Sequence, residues 1–265
     1  METPHRAINA KEDRHFITAL ARGLDVLGAF RSRDRMLSNQ ELARRCGLPK
    51  STISRLTYTL TKQGYLEHAD DGSGNTGYRL GSAVLALGSA MLARMDMRQL
   101  ARPLMQELAD QSQAMVSLGV RDRLSMIYVE NCRSESALTL SLDVGSRIPL
   151  ATTAMGRAWL AACSEPERTA QLALIRASDE AAWPKVQAGI EAALEEYRGS
   201  GCCTSFGEWQ QDVNAIAIAF RPPGGRSVMA INCGGPSFSL QQDFLLAEVR
   251  PQLLALAGRL QGMAL

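Results

Sequence analysis

The feature that most constrains the fold is a pair of helix boundaries separated by a short turn. Ser38 followed by Glu41 has the pattern of a capping box, which starts a helix. Gly47 suits the left-handed residue that ends such a helix, and Pro49 stands where a second helix can begin, over Lys50–Gln63. Two helices joined by a short turn that contains glycine are typical of a helix-turn-helix.

The second of these helices has one apolar face and one polar face. Ile53, Leu56 and Leu60 fall on the face that we expect in the core. The opposite face carries hydroxyl groups, cations and an aromatic ring, which can contact phosphates and base edges in the major groove. The alternative interpretation is an ordinary solvated surface. The residues predicted to contact DNA here are Ser38, Lys50, Ser51, Thr52, Ser54, Arg55 and Tyr58.

The flanking segments complete a larger DNA-binding pattern. Apolar residues at helical spacing predict a first helix over Phe16–Phe30. Two short strands, Tyr65–His68 and Tyr78–Leu80, flank a tip rich in Asp, Gly, Ser and Asn and predict a hairpin. A hairpin after the recognition helix is a wing, and Arg79 on it is expected to reach phosphate or the minor groove.

The distribution of charge agrees with this division. The net charge is only +2, but residues 1–80 hold thirteen Lys or Arg against nine Asp or Glu. The other 185 residues hold sixteen basic and eighteen acidic side chains. A basic N-terminal part attached to a slightly acidic remainder favours a DNA-reading module joined to a domain that does not touch DNA.

The segment after the wing predicts a helix that is too apolar to stand alone. Ser82–Arg94 consists mainly of strong helix formers. We expect its apolar surface to be buried against a second subunit, with packing on its own domain as the alternative. The apolar residues are Val84, Leu85, Leu87, Met91 and Leu92. The domains expected are a polar arm (1–15), a DNA-binding domain (16–80), a linker helix (81–96) and a C-terminal domain (97–265).

The C-terminal part predicts an α+β domain with antiparallel strands and helices on one side of the sheet. The predicted strands are Ala114–Arg121, Leu124–Asn131 and Ala137–Asp143, with a later hairpin of Ala215–Phe220 and Ser227–Cys233. The predicted helices are Arg98–Ser112, Thr153–Ala162, Trp183–Arg198 and Phe238–Gly262. Small residues before Ala154 leave backbone N–H groups open at a helix N-terminus, which is suited to binding an anion.

The chain resembles the IclR family of bacterial transcriptional regulators over nearly its whole length. The resemblance rests on the segments ALARGLDVLGAF, LSNQELARRCGLPKSTISRLTYTLTKQGYL, YRLGSAVLALGSAML, RPLMQELAD, RIPLATTAMGRAWLA and INCGGPSF. It implies a winged helix-turn-helix, a linker helix and a GAF-like α/β effector-binding domain. It also implies a homodimer or homotetramer that binds a palindromic operator in double-stranded DNA and responds to a small organic molecule, frequently a carboxylate or an aromatic catabolite.

By the same resemblance, an effector site is expected in the C-terminal domain. Its amides come from Ala154 and Met155, and its apolar wall from Ala137, Leu140 and Ile148. Its later positions fall on Ser205, Ala215, Asn232 and Gly234. The sequence departs from the family here, because Ala215 and Gly234 lack polar side chains and Asn232 has an amide in place of a hydroxyl. This predicts a less polar, larger pocket and an aromatic acid as the effector.

Other functions have little support in the sequence. All three histidines lie in the N-terminal part, and no catalytic motif is recognisable. The six cysteines have no regular spacing, so reduced thiols, a cytoplasmic protein and no metal or cofactor are expected, and no apolar stretch is long enough for a membrane span. The alternatives are a C-terminal domain that only oligomerises and an enzyme with an appended winged helix. The sequence leaves open whether a regulator of this kind represses or activates.

Overall fold

The computed structural model describes residues 15–31, 34–135, 142–223 and 227–262. The chain divides into two compact units, Met1–Arg94 and Met95–Leu265. The helices and strands of the first unit are α1 (Thr18–Gly28), α2 (Asn39–Cys46), α3 (Lys50–Lys62), β1 (Leu66–Asp70), β2 (Thr76–Leu80) and α4 (Ser82–Leu92). Each of these corresponds to an element predicted from the sequence, and α4 is the expected linker helix.

The ends of α2 show why the turn has its shape. The Oγ of Ser38 accepts a hydrogen bond from the N–H of Glu41 at 3.2 Å, and Gly47 has φ of 62°, in the left-handed region. The expected capping box is wrong in its second half. The Glu41 carboxylate does not return to the N-cap but pairs with Arg44 and Arg45, at 2.8 and 2.7 Å.

A small core holds the first unit together. Val26, Leu42, Ile53 and Leu66 are buried in it, one each from α1, α2, α3 and β1. The wing is fastened to this core by a β-bridge, in which the N–H groups of Leu37 and Tyr78 each donate to the other's C=O at 2.9 Å. The residue before α2 therefore forms a third, minimal strand beside the predicted hairpin.

The second unit is built on one six-stranded antiparallel sheet. Its strand order is β5-β4-β3-β8-β7-β6. The strands are β3 (Met115–Asp122), β4 (Ser125–Arg133), β5 (Arg147–Pro149), β6 (Cys203–Phe206), β7 (Val213–Phe220) and β8 (Met229–Pro236). Of the predicted strand Ala137–Asp143, residues 137–141 lie outside the described residues, and residues 142–143 are not in a strand.

Helices cover both faces of this sheet, so the expectation of helices on one side is wrong. The helices α5 (Asp96–Ser112) and α10 (Arg250–Gly262) pack on one face. On the other face lie α6 (Ala154–Ala162) and α8 (Trp183–Ser200). Between them in the chain is α7 (Glu165–Ser178), which was not predicted from the sequence. The C-terminal helix begins later than predicted, with α9 (Gln242–Phe244) and a π-helical turn (Leu245–Val249) before α10.

Alternation along β7 explains the two faces. Ala217 and Ala219 belong to the core beneath α6, and their small side chains let that helix approach the sheet closely. The intervening Ile216, Ile218 and Phe220 are also buried and point to the face covered by α10. The strand is thus apolar on both faces, as a central strand between two helical layers must be.

The N-terminal turn of α6 lies unusually close to the turn that precedes it. The Oγ1 of Thr153 caps the helix by accepting the Gly156 N–H at 3.1 Å. A Cβ placed on Gly156 would lie 2.1 Å from the carbonyl oxygen of Leu150. Backbone atoms fill the space that any side chain at this position would need, so only glycine fits there.

We predict that Gly156→Ala destabilises the second unit by about 1–3 kcal/mol, because the added methyl group forces the backbone apart. The matched control is Gly258→Ala in α10, where an added Cβ meets nothing within 4 Å. That change should stabilise the unit by about 0.5–1 kcal/mol through helix propensity. Urea unfolding of the two variants gives both values, and equal effects would contradict the close approach.

Candidate effector and DNA-binding sites

A cavity lies between α6 and the face of the sheet that α6 covers. Its free volume is only about 20 Å³, room for roughly one water molecule, within an envelope of about 360 Å³ that includes space open to solvent. It is lined by Met115, Tyr128, Ile148, Thr153, Ala154, Met155, Ser205, Trp209, Val213, Ala215, Asn232 and Gly234. None of these described lining residues has a charged side chain, and most of them are apolar or small.

The structure brings most of the sequence-predicted effector residues into this one cavity. Those that line it are Ile148, Ala154, Met155, Ser205, Ala215, Asn232 and Gly234. They converge because Ser205, Ala215, Gly234 and Met115 are paired in one row across β6, β7, β8 and β3. The two other predicted wall positions, Ala137 and Leu140, lie outside the described residues.

Five lining residues were missed from the sequence: Met115, Tyr128, Thr153, Trp209 and Val213. Met115 and Val213 stand at the ends of strands, and alternation places them on the same face as Ser117 and Ala215. That alternation was available in the sequence, but the register that pairs the strands was not. Trp209 lies in the loop between β6 and β7, where no periodic pattern could have indicated it.

The first turn of α6 forms part of the cavity wall. Ala154 and Met155 occupy the first turn of the helix, where backbone N–H groups have no acceptor within the helix. The aligned peptide dipoles add a partial positive charge at this end. An anionic group can therefore be held here without a cationic side chain.

A buried polar group forms another part of the cavity wall. Burial raises the pKa of the Tyr128 phenol to about 12, against the smaller opposing effect of Asn232 and Ser117 beside it. The side-chain oxygens of Asn232 and Ser117 are both buried, and neither completes a well-aligned hydrogen bond with a described residue. A buried unsatisfied oxygen is costly, so this corner can gain from a ligand with a hydrogen-bond donor.

In the first unit, the predicted DNA-contacting residues form the outer face of α3. Lys50, Ser51, Ser54, Arg55 and Tyr58 are exposed. Ser38 and Thr52 are half-buried, and Ser38 also serves as the cap of α2. Ser54 accepts a long hydrogen bond of 3.4 Å from Asn39, while Lys62 stacks over the Tyr58 ring at 5.6 Å from its centroid.

Ion pairs reduce the positive charge elsewhere in the first unit. Arg45 pairs with Asp34 at 2.5 Å and with Glu41, whose pKa is lowered to about 2 by hydrogen bonds from Arg44 and Arg45. Lys50 and Arg55 make no ion pair with any residue in the described ranges. These two cations on α3 are therefore available to bind phosphates or bases.

The wing carries acidic side chains close to Arg79. Arg79 lies on β2, exposed as expected, but its guanidinium pairs with Glu67 of β1 at 2.9 Å. At the tip, Asp71 accepts hydrogen bonds from Ser73 and Asn75, which lower the pKa of its carboxyl. These carboxylates weaken the attraction of the wing for phosphate, and a phosphate contact by Arg79 competes with its pair with Glu67.

The buried thiols are not built for nucleophilic chemistry. Burial raises the pKa of Cys132 and Cys163 to about 11 and that of Cys202 and Cys233 to about 12. A thiol must be deprotonated to act as a nucleophile or as a metal ligand. Among the described residues, no three His, Cys, Asp or Glu side chains are grouped to hold a metal ion. In the same part of the chain, no helix is both long and apolar enough to cross a membrane.

Two family models match the chain, one for each unit. The IclR helix-turn-helix domain matches residues 19–70, and the model described as the bacterial transcriptional regulator IclR C-terminal domain matches residues 89–261. A relative named HTH-type transcriptional regulator TsaQ1/TsaQ2, from Comamonas testosteroni, is 32% identical over 92% of this chain and 87% of its own length.

Solved structures show the same fold. The crystal structure of an IclR family transcriptional regulator from Brucella abortus has a TM-score of 0.87 and 42% identity, covering 100% of this chain and 99% of that one. An IclR homologue from Microbacterium hydrocarbonoxydans, crystallised with 4-hydroxybenzoate, has a TM-score of 0.67. It is 23% identical over 93% of this chain and 100% of its own, so its likeness concerns the fold.

We predict that Tyr128→Phe removes part of the loss of stability at alkaline pH. In the folded protein the phenol has a pKa of about 12, whereas in the unfolded chain it ionises near 10. Its neutral form therefore stabilises the fold below pH 10, and this contribution is lost as pH rises from about 10 to 12. At pH 11 the loss is about 1 kcal/mol relative to pH 8.

The measurement is urea unfolding of the second unit at pH 8 and pH 11, under reducing conditions. Tyr128→Phe should lose less stability between the two pH values than the wild-type chain does. Tyr65→Phe, which makes the same change in the first unit, serves as the control and should leave that difference unchanged. Identical pH dependence in wild type and Tyr128→Phe would show that the phenol is not buried as described.

Proposed function

The chain belongs to the IclR family of bacterial transcriptional regulators, and from this premise we propose how its two units share the work of regulation. The first unit binds an operator with α3 in the major groove. The second unit binds a small organic acid of the aromatic class in the cavity beneath α6. The observation that carries the effector proposal is a cavity that offers helix-terminal amides but no charged side chain among its described lining residues.

For DNA, we propose that α3 makes the base contacts and that charge supplies most of the affinity. Arg55 lies in the N-terminal half of α3 and is exposed, with no hydrogen bond from its guanidinium to another described residue. An arginine can bind guanine through two hydrogen bonds in the major groove. The remaining proposed contacts, including Arg79 after release from Glu67, fix the orientation of the unit on the backbone.

We further propose that the functional species is a homodimer or a homotetramer that binds a palindromic operator. The exposed apolar side chains of the first unit support this proposal. Leu20 and Leu24 are spaced to lie on one side of α1, Ile17 directly precedes this helix, and each of the three is more than half exposed. On α4, Leu85 is 72% and Leu87 is 59% exposed, which is more apolar surface than a free helix tolerates in water.

For the effector, the lining favours a molecule with an anionic end and an apolar body. The anionic end is proposed to lie against the N–H groups of Ala154 and Met155. The body lies among Met115, Ile148 and Trp209, and a second polar group reaches Asn232. An aromatic hydroxy acid has this distribution of groups. Because the free volume of the cavity is about 20 Å³, its ring requires part of the wall, such as the loop that carries Trp209, to move outward.

We expect Arg55→Ala to weaken operator binding by about 1–3 kcal/mol and to relax the base preference at one position. The operator is first selected from a random DNA library by the wild-type chain, and affinities are then measured by fluorescence anisotropy at fixed salt. Arg176→Ala, which removes an exposed arginine from the second unit, should bind as tightly as the wild type. If both variants match the wild type, Arg55 does not contact the operator.

We expect 4-hydroxybenzoate to raise the unfolding temperature of the full chain in a saturable way. A ligand present at 100 times its Kd and bound only to the folded state adds about 2.7 kcal/mol of stability. Asn232→Ala should reduce the shift, whereas Asn75→Ala, the same change in the wing, should leave it intact. Stabilisation by glyoxylate or pyruvate, with none by aromatic acids, would contradict the aromatic part of the proposal.

A further inference from the structure

An ion pair joins two of the segments that surround the cavity, although neither of its residues lines it. Arg157 lies on α6 and is 5% exposed, while Glu208 is 46% exposed in the loop between β6 and β7. The Nη2 of Arg157 lies 2.6 Å from the Oε2 of Glu208. The Nε of the same guanidinium donates to the C=O of Ala151 at 3.1 Å.

The loop that carries Glu208 also carries Trp209, which forms part of the cavity wall. The loop is closed at its base, because the N–H of Gly207 donates to the C=O of Val213 at 2.9 Å. Between Gly207 and Val213, the Glu208 carboxylate connects the loop to α6 through its ion pair with Arg157. Glu208 and Trp209 are adjacent, so the ion pair holds the backbone next to the indole.

The hydrogen bond from Arg157 to Ala151 reaches another part of the cavity wall, the turn before α6. Ala151 belongs to the turn that leads into α6, immediately before the capping residue Thr153. Thr152 of the same turn also accepts a hydrogen bond, from the Oγ of Ser205 at 3.1 Å. A single guanidinium therefore connects the loop of Trp209 with the turn that presents the amides of Ala154 and Met155.

A third element leaves room for the pair. A Cβ placed on Gly189 of α8 would lie 2.6 Å from the Nη2 of Arg157 and 3.6 Å from the Oε2 of Glu208. Glycine is a poor helix former, and it lowers the stability of α8 relative to alanine. Its presence here is explained by the space that the guanidinium needs.

We propose that Arg157 is a positioning residue for effector binding, an inference that rests on the effector site proposed above. Through Glu208 it holds Trp209 against the cavity, and through Ala151 it fixes the turn that supplies the anion-binding amides. The pair has one buried and one half-exposed partner. Because Arg157 is buried, loss of its partner would leave an unpaired buried charge, which favours the paired arrangement. Glu208 is half-exposed, so its side chain can still be solvated when the pair separates.

The first test needs no effector and is made on the full chain by hydrogen exchange with mass spectrometry. Glu208→Gln removes the charge of the loop partner, and it should speed exchange in the peptides that cover residues 207–212 and 150–156 by about two- to fivefold. Glu195→Gln is the matched control, since it breaks an exposed pair with Arg198 on α8. It should leave both segments unchanged.

Two further variants separate positioning from general stability. Gly189→Ala keeps both charges and improves the helix propensity of α8, yet it should displace the guanidinium and speed exchange in the same two segments. Glu208→Asp keeps the charge and should restore part of the protection that Glu208→Gln loses. Exchange that is unchanged in both segments in Glu208→Gln, or equally fast throughout the second unit, would overturn the proposal.

The effect on binding is measured by stopped-flow fluorescence with 4-hydroxybenzoate as the probe. In Glu208→Gln we expect the dissociation rate to rise about two- to fivefold, with a smaller change in the association rate. If the wild-type chain does not bind this probe, the choice of effector class is wrong, and the exchange experiment still decides the role of Arg157. If the probe binds and its rates match in both proteins, the positioning role is wrong.

Discussion

The second unit depends on how closely α6 approaches the sheet beneath it. That approach is possible because Gly156 leaves space for the backbone at Leu150 and because Ala217 and Ala219 have small side chains on the facing strand. A larger residue at any of these positions would lift the helix and move its N-terminal turn. The residues of that turn, Ala154 and Met155, line the cavity beside this close packing.

In the first unit, ion pairs neutralise part of the positive charge. Three of its described arginines outside α3 pair with carboxylates, as in the pairs of Arg45 with Asp34 and of Arg79 with Glu67. Each pair neutralises charge away from α3, whereas Lys50 and Arg55 on α3 make no ion pair with a described residue. A modest net charge for the whole chain is therefore compatible with a local positive potential at α3, of the kind that steers a protein to a phosphate backbone.

The two units differed in how much their sequence predicted, for physical reasons. The first unit is local: its helices begin and end at residues such as Ser38 and Gly47, whose backbone preferences are strong. Strand pairing in the second unit is not local, because β5 and β6 are short edge strands whose pairing depends on residues far away in the sequence. The apolar face of α7 was also too weakly periodic to be recognised. The other helices were predicted, but their division between the two faces of the sheet depends on tertiary packing that periodicity does not reveal.

The residues that line the cavity also differed in how well the sequence predicted them. Positions such as Ala154, Met155 and Asn232 were found through the family pattern, which carries information about three-dimensional position that periodicity lacks. Trp209 and Tyr128 were missed because one lies in an irregular loop and the other on a strand whose register could not be read. Arg157 was missed because a charged residue on a helix is normally solvated, and only the fold shows it buried.

The uncharged lining of the cavity has a consequence for the conditions under which such a sensor works. Of its described lining residues, only Tyr128 has a side chain that ionises, and burial places its pKa at about 12. Amide donors and hydroxyls keep their hydrogen-bonding character throughout the pH range of a living cell. With the effector site proposed above, the binding of an acid would therefore follow the concentration of its ionised form, with no titration of the cavity itself between acidic and neutral pH.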